Sequence, residues 1–112
     1  MEQKNYTIRE LLGTALEKGA SDLHITVGVP PLVKVRGEFE PIGDKILNPD
    51  DTRALVRELF EDEDSFREFL AVGDKDFSLS ISKMGRFRVN TFLQRGSLAA
   101  AIRLVFTRLP DP

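Results

Sequence analysis

The amino-acid sequence predicts an α+β domain: an antiparallel sheet of about five to six strands with helices packed on one face. Three observations carry this reading. Some segments repeat apolar residues at the three-to-four spacing of a helix, and others alternate them with polar residues at the period of a strand. Gly, Pro and Asn stand between the two kinds of segment, where turns and caps need them. The 112 residues suit one hydrophobic core, since single domains usually hold about 100 to 200 residues.

The first helix begins at Thr7-Ile8-Arg9-Glu10. This is the capping-box spacing, in which a Thr hydroxyl and a Glu carboxylate satisfy backbone N–H groups at a helix start. Ile8, Leu11, Leu12, Ala15 and Leu16 then form one apolar stripe, and Gly19 ends it in a left-handed conformation. Leu23, Ile25 and Val27 alternate with His24 and Thr26 as a half-buried strand, which Gly28 to Pro31 breaks. A second strand runs from Leu32 to Arg36, Gly37-Glu38 turns it, and a short third strand runs from Phe39 to Ile42. Together the three form an antiparallel meander.

Asn48-Pro49-Asp50-Asp51 starts the next helix. Asn caps, Pro suits the first helical position, and early carboxylates favour the positive end of the macrodipole. Leu55, Val56, Leu59 and Phe60 form its buried face. The acidic run Glu61 to Asp64 separates it from a shorter helix carrying Phe66, Phe69 and Leu70, which Gly73 ends. That run reads as solvated surface, because a metal cage needs converging rather than consecutive oxygen ligands. Phe77, Leu79 and Ile81 then alternate with serines. A turn through Lys83, Met84 and Gly85 leads to a long strand from Arg86 to Arg95, and a last strand spans Leu98 to Val105.

Gly96-Ser97 fits a two-residue hairpin loop between these last strands. That loop pairs Arg95 with Leu98 and sets every other pair by counting back. One face then gathers Phe87, Val89, Thr91 and Leu93 with Phe106, Leu104, Ile102 and Ala100, and is core. On the other face Arg88 lies opposite Val105 and Asn90 opposite Arg103, so Arg88 and Arg103 are diagonal neighbours.

Composition narrows the function classes. There is no cysteine, which removes disulfides, thiolate metal sites and a Cys nucleophile, and suits a reducing cytoplasm. No stretch approaches the roughly 20 apolar residues of a membrane span, and the charged N-terminus is unlike a signal peptide. No Gly-Lys dipeptide occurs, so the chain by itself has no P-loop and is not read as an enzyme. The single His24 has no second His or Cys for a metal site or a nucleophilic triad.

Net charge is only −2, yet from Phe77 to Pro110 there is no Asp or Glu, while Lys83, Arg86, Arg88, Arg95, Arg103 and Arg108 are basic. Guanidinium forks match phosphate oxygens, so an anion between Arg88 and Arg103 is one reading of the outer face. A merely solvated surface, or pairing with acidic residues of the second helix region, is the other. Only Phe92 offers an outward aromatic on the hairpin, too little for the stacking platform that nucleic acid uses.

Two stretches resemble the PilT-like twitching-motility ATPases of the secretion-ATPase superfamily. One is Gly19-Ala20-Ser21-Asp22-Leu23-His24-Ile25 with Gly28-Val29-Pro30-Pro31 and Arg36-Gly37-Glu38. The other is Gly85-Arg86-Phe87-Arg88-Val89-Asn90-Thr91-Phe92, then Gln94-Arg95-Gly96-Ser97 and Ala101-Ile102-Arg103. The resemblance covers nearly the whole chain. It implies a PAS-like N-terminal domain over residues 1–108, with 109–112 beginning a linker to a RecA-like ATPase core.

It further implies a cytoplasmic, homo-hexameric retraction motor of type IV pili, using ATP and magnesium and working with the pilus machinery of the inner membrane. In that family the N-terminal domain closes over the nucleotide. By motif position Arg88 and Arg103, with Arg86, would contact the phosphates, and Asp22 and His24 would stabilise the domain or a subunit contact. No cofactor is expected in these residues alone. The alternative is a stand-alone PAS-like domain that senses a small molecule or binds a protein.

Overall fold

The computed structural model describes residues 6–107, with side chains up to residue 105. Three helices and six strands follow in the order α1 (Ile8–Glu17), β1 (Asp22–Ile25), β2 (Leu32–Val35), β3 (Glu38–Pro41), α2 (Pro49–Arg57), α3 (Glu63–Val72), β4 (Asp74–Ile81), β5 (Gly85–Gln94) and β6 (Ser97–Thr107). Every strand pair is antiparallel, and the sheet order is β3-β2-β1-β6-β5-β4. The first and last strands therefore meet at the centre of the sheet.

Local chemistry sets the helix ends. Thr7 Oγ1 accepts from the Glu10 N–H (3.1 Å) while Glu10 Oε1 accepts from the Thr7 N–H (3.0 Å), closing the expected capping box. Asn48 and Asp51 make a second box at α2, with Pro49 at the start of the helix. The exposed acidic run only half separates the helices: Glu61 and Asp62 lie between them, Asp62 caps α3 by accepting from the Ser65 N–H (2.8 Å), and Glu63 and Asp64 occupy its first turn. As a result α3 is as long as its neighbours rather than shorter. Gly73, at φ 89°, ends it in the left-handed conformation.

All three helices bury their apolar stripes on one face of the sheet. Leu11, Leu12, Val56, Phe66 and Phe69 meet Leu23, Ile25, Val33, Phe87, Val89 and Ile102 in one core. Phe60 stacks on Phe69 at 5.4 Å and tilts against Phe77 at 5.1 Å, which seals the α2–α3 junction over β4.

Both Arg-Gly hairpins turn one residue earlier than the sequence reading placed them. Arg36 and Gly37 have φ of 54° and 82°, and Arg95 and Gly96 have 53° and 81°. A two-residue loop with positive φ at both positions is the type I′ geometry that matches strand twist. Assigning positive φ to glycine alone moved each loop forward. In the second hairpin the register consequently becomes Gln94 opposite Ser97, and Arg88 lies directly opposite Arg103 rather than opposite Val105. The change is two residues, so the two faces keep their membership. A bulge between Arg86 and Phe87 then brings Arg86 opposite Phe106, whose side chain lies outside the described residues.

Candidate functional site

The sheet face away from the helices carries one row of residues across all six strands. Register pairs place Phe39, Lys34, Asp22, Arg103, Arg88 and Ser78 side by side. Adjacent strands lie about 4.8 Å apart, so these residues are cross-strand neighbours, with side-chain contacts at Asp22–Arg103 and Lys34–Phe39. A parallel row holds Leu32, His24, Ala101, Asn90 and Asp76. Between them lies an open depression of about 180 Å³ lined by Asp22, Asp76, Arg88, Asn90 and Arg103.

Asp22 changes the electrostatics expected of this face. It lies 81 positions from Arg103 in sequence, yet its Oδ2 accepts from Arg103 Nε at 3.4 Å. Ser21 Oγ donates to its other oxygen at 2.6 Å. The carboxylate is largely buried, with a side-chain exposure of 13%, whereas that of Arg103 is 70%. The partner of Arg103 is thus on β1 and not in the second helix region. The missing acids between Phe77 and Pro110 had signalled that any carboxylate must come from elsewhere, but nothing local tells which one.

Arg103 is held by its Nε, a contact that does not use the two terminal nitrogens of its fork. Arg88 and Arg86 are exposed and, among the described residues, form no salt bridge. With Asp22 and Asp76 facing Arg88 and Arg103 across the depression, the four formal charges balance. An arriving anion meets two guanidiniums whose repulsion is already offset.

His24 sits one row away against β2 and β3. Its ring meets Phe39 edge-on at 4.9 Å, and Lys34 Nζ lies over the same Phe39 ring at 5.6 Å. Burial holds its pKa below the ordinary imidazole value and Lys34 adds to this, against an opposing pull from Asp22. The neutral ring is favoured, in keeping with a packing role. Asp22 and His24 project from the same strand two residues apart, but only Asp22 reaches the arginines.

The sequence is 38% identical over 101 residues to the type IV pilus ATPase PilU of Pseudomonas aeruginosa, and 36% identical over 100 residues to PilT, the retraction ATPase of the same organism. These matches cover 90% and 88% of this chain. The crystal structure of the pilus retraction motor PilT with bound ADP superposes with a TM-score of 0.82 over 95% of the chain, at 34% identity. The chain is a PilT-family domain. It corresponds to the N-terminal domain of those ATPases. It spans 26% of PilU, 28% of PilT and 31% of the crystallised PilT chain, roughly a quarter to a third of each. No family model matches the sequence. In this PilT-type domain no described helix is long and apolar enough to cross a membrane.

Proposed function

We propose that the PilT-type domain serves a pilus retraction ATPase as its N-terminal domain, closing over nucleotide held by a RecA-like core of the same or a neighbouring subunit. Arg88 and Arg103, with Arg86 beside them, supply positive charge to the phosphates. The observation that carries this reading is the direct Arg88–Arg103 pair on the open sheet face, in a domain homologous to that of an ADP-binding motor. Arg donated from outside a P-loop stabilises the negative charge that develops on a transferring phosphoryl group.

The division of labour follows from the geometry. Asp22 is a positioning residue that holds Arg103 by Nε and so does not occupy its two terminal nitrogens. Arg88, which forms no ion pair among the described residues, moves to the nucleotide at little cost. His24 stabilises the sheet edge through Phe39. The P-loop and the magnesium ligands belong to the core, since this sequence has no Gly-Lys dipeptide. The active motor is a homo-hexamer in the cytoplasm, coupled to the inner-membrane pilus machinery.

The sensor reading is disfavoured by the interior. The space between sheet and helices is filled by Leu11, Leu12, Val56, Phe69 and Phe87, each essentially inaccessible to solvent. The test measures ATP turnover of the ATPase carrying this domain with Arg88→Ala and Arg103→Ala, alongside unfolding of each variant domain. Turnover is expected to fall about 100-fold or more, the low end for losing an electrostatic stabiliser, while Arg88→Ala leaves stability within about 0.5 kcal/mol. Unchanged turnover in both variants overturns the arginine assignment.

A further inference from the structure

The two edges of the sheet are not alike. β3 is four residues long, carries Glu38 and Glu40, ends in Pro41, and is tied to the helix layer by a Lys18–Glu40 ion pair at 3.0 Å. These are the devices by which proteins blunt an edge against further pairing. β4 at the other edge has eight residues in regular register with β5, no proline and no bulge.

The hydrogen-bonding phase of β4 follows from one contact. Gly73 O accepts from the Leu93 N–H at 3.2 Å, so the odd-numbered positions that follow turn their backbone groups toward β5. Asp74, Asp76, Ser78 and Ser80 therefore present their N–H and C=O groups to the open edge. Alongside runs a groove of about 480 Å³, lined on its apolar side by Leu59, Phe60, Phe77 and Leu79.

We propose that β4 is a docking edge for an extended segment of a partner protein, which adds a seventh strand antiparallel to β4. Charge on the outer face selects the segment. At the Ser78–Ser80 end the side chains are small, and Arg88 and Arg86 lie opposite them on β5. A residue added beyond the serines is about 10 Å from those arginine backbones, two strand spacings away, within the reach of a long side chain. Acidic residues fit there, and a basic residue fits beside Asp74 and Asp76. Alternate residues of the segment turn inward to the groove at Phe60, Phe77 and Leu79 and are apolar. Backbone bonds supply affinity and the alternating side chains supply selectivity.

The 112-residue chain is titrated with a labelled eight-residue probe that alternates valine with glutamate in its N-terminal half and valine with lysine in its C-terminal half, read by fluorescence anisotropy. Saturable binding below about 1 mM is expected, a range suited to a short unordered peptide. Ser78→Pro removes an outward N–H but no bond to β5, a place where an edge strand tolerates proline, and it weakens binding by about 10-fold or more. A probe N-methylated at alternate amides tests the same bonds without altering the protein and is expected to lose binding equally. A probe with the two charged halves exchanged binds more weakly. Binding that is indifferent to N-methylation, or absent at about 1 mM, overturns the proposal. So does a dimer in sedimentation that Ser78→Pro dissolves, because the occupant is then a second copy of the chain.

Discussion

Replacing Asp22 and Arg103 singly and together measures the ion pair between β1 and the arginine face. The structure sets the scale of the expected coupling. The N···O distance of 3.4 Å is longer than the roughly 2.7–2.9 Å of a strong charge-assisted bond, and the arginine end is mostly in water. Exposed pairs are worth about 0.2–1 kcal/mol. Asp22 is largely buried, which moves the coupling toward the middle of that range, about 0.5 kcal/mol.

Arg103→Met keeps the aliphatic stem packed on the sheet and is expected to cost about 0.5 kcal/mol. Asp22→Asn weakens both the Arg103 contact and the 2.6 Å bond from Ser21, for a loss of about 1 kcal/mol. The double variant falls short of the sum by the coupling energy. Urea unfolding at low salt provides the values, and repetition at about 1 M salt, where the Debye length is near 3 Å, shrinks the difference. Coupling indistinguishable from zero at low salt refutes the assignment of Asp22 as the group that orients Arg103. Coupling above about 2 kcal/mol refutes the exposed-pair reasoning, since that is the scale of a desolvated pair.

Two further outcomes are expected of the isolated domain. Arg95→Asn relieves a left-handed backbone at φ 53° that Asn tolerates better, raising stability by roughly 0.5 kcal/mol; a loss of stability would show that the Arg95 side chain holds the hairpin in some other way. His24 has a pKa below that of the unfolded chain, chiefly through burial. Its contribution is therefore complete above about pH 6.5. As the pH falls the unfolded chain takes up the proton first, and stability drops until the pH passes the lower folded value. His24→Gln is expected to flatten that part of the pH–stability curve, and an unchanged slope would assign it to other groups.

Features encoded within a few residues were legible in the sequence. Thr7 with Glu10 and Asn48 with Asp51 close their caps locally, so both helix starts were placed where they occur. The cap at Asp62 is not legible, because an Asp that caps a helix and an Asp that merely faces water look alike in a run of acids. The hairpin loops were displaced because arginine adopts positive φ only at a cost, and the twist of the paired strands meets that cost at Arg36 and Arg95. Strand alternation placed Arg88 and Arg103 on the correct face, since a two-residue change of register preserves parity. The Asp22–Arg103 contact depends on β1 lying beside β6, a pairing across most of the chain that no local pattern encodes.

That β1–β6 pairing also dictates how the chain must fold. The β1-β2-β3 meander and the β4-β5 hairpin share no strand border; β6 alone joins them, with Leu23 against Ile102 on one side and Val89 against the same Ile102 on the other. On a ribosome the first five strands emerge before the strand that unites them. Each half waits with an open flank until residues 97–107 arrive, and the final closure spans a sequence separation near the length of the domain. Such non-local closure slows folding, and it makes the late, arginine-bearing strand the one whose arrival completes both the sheet and its charged face.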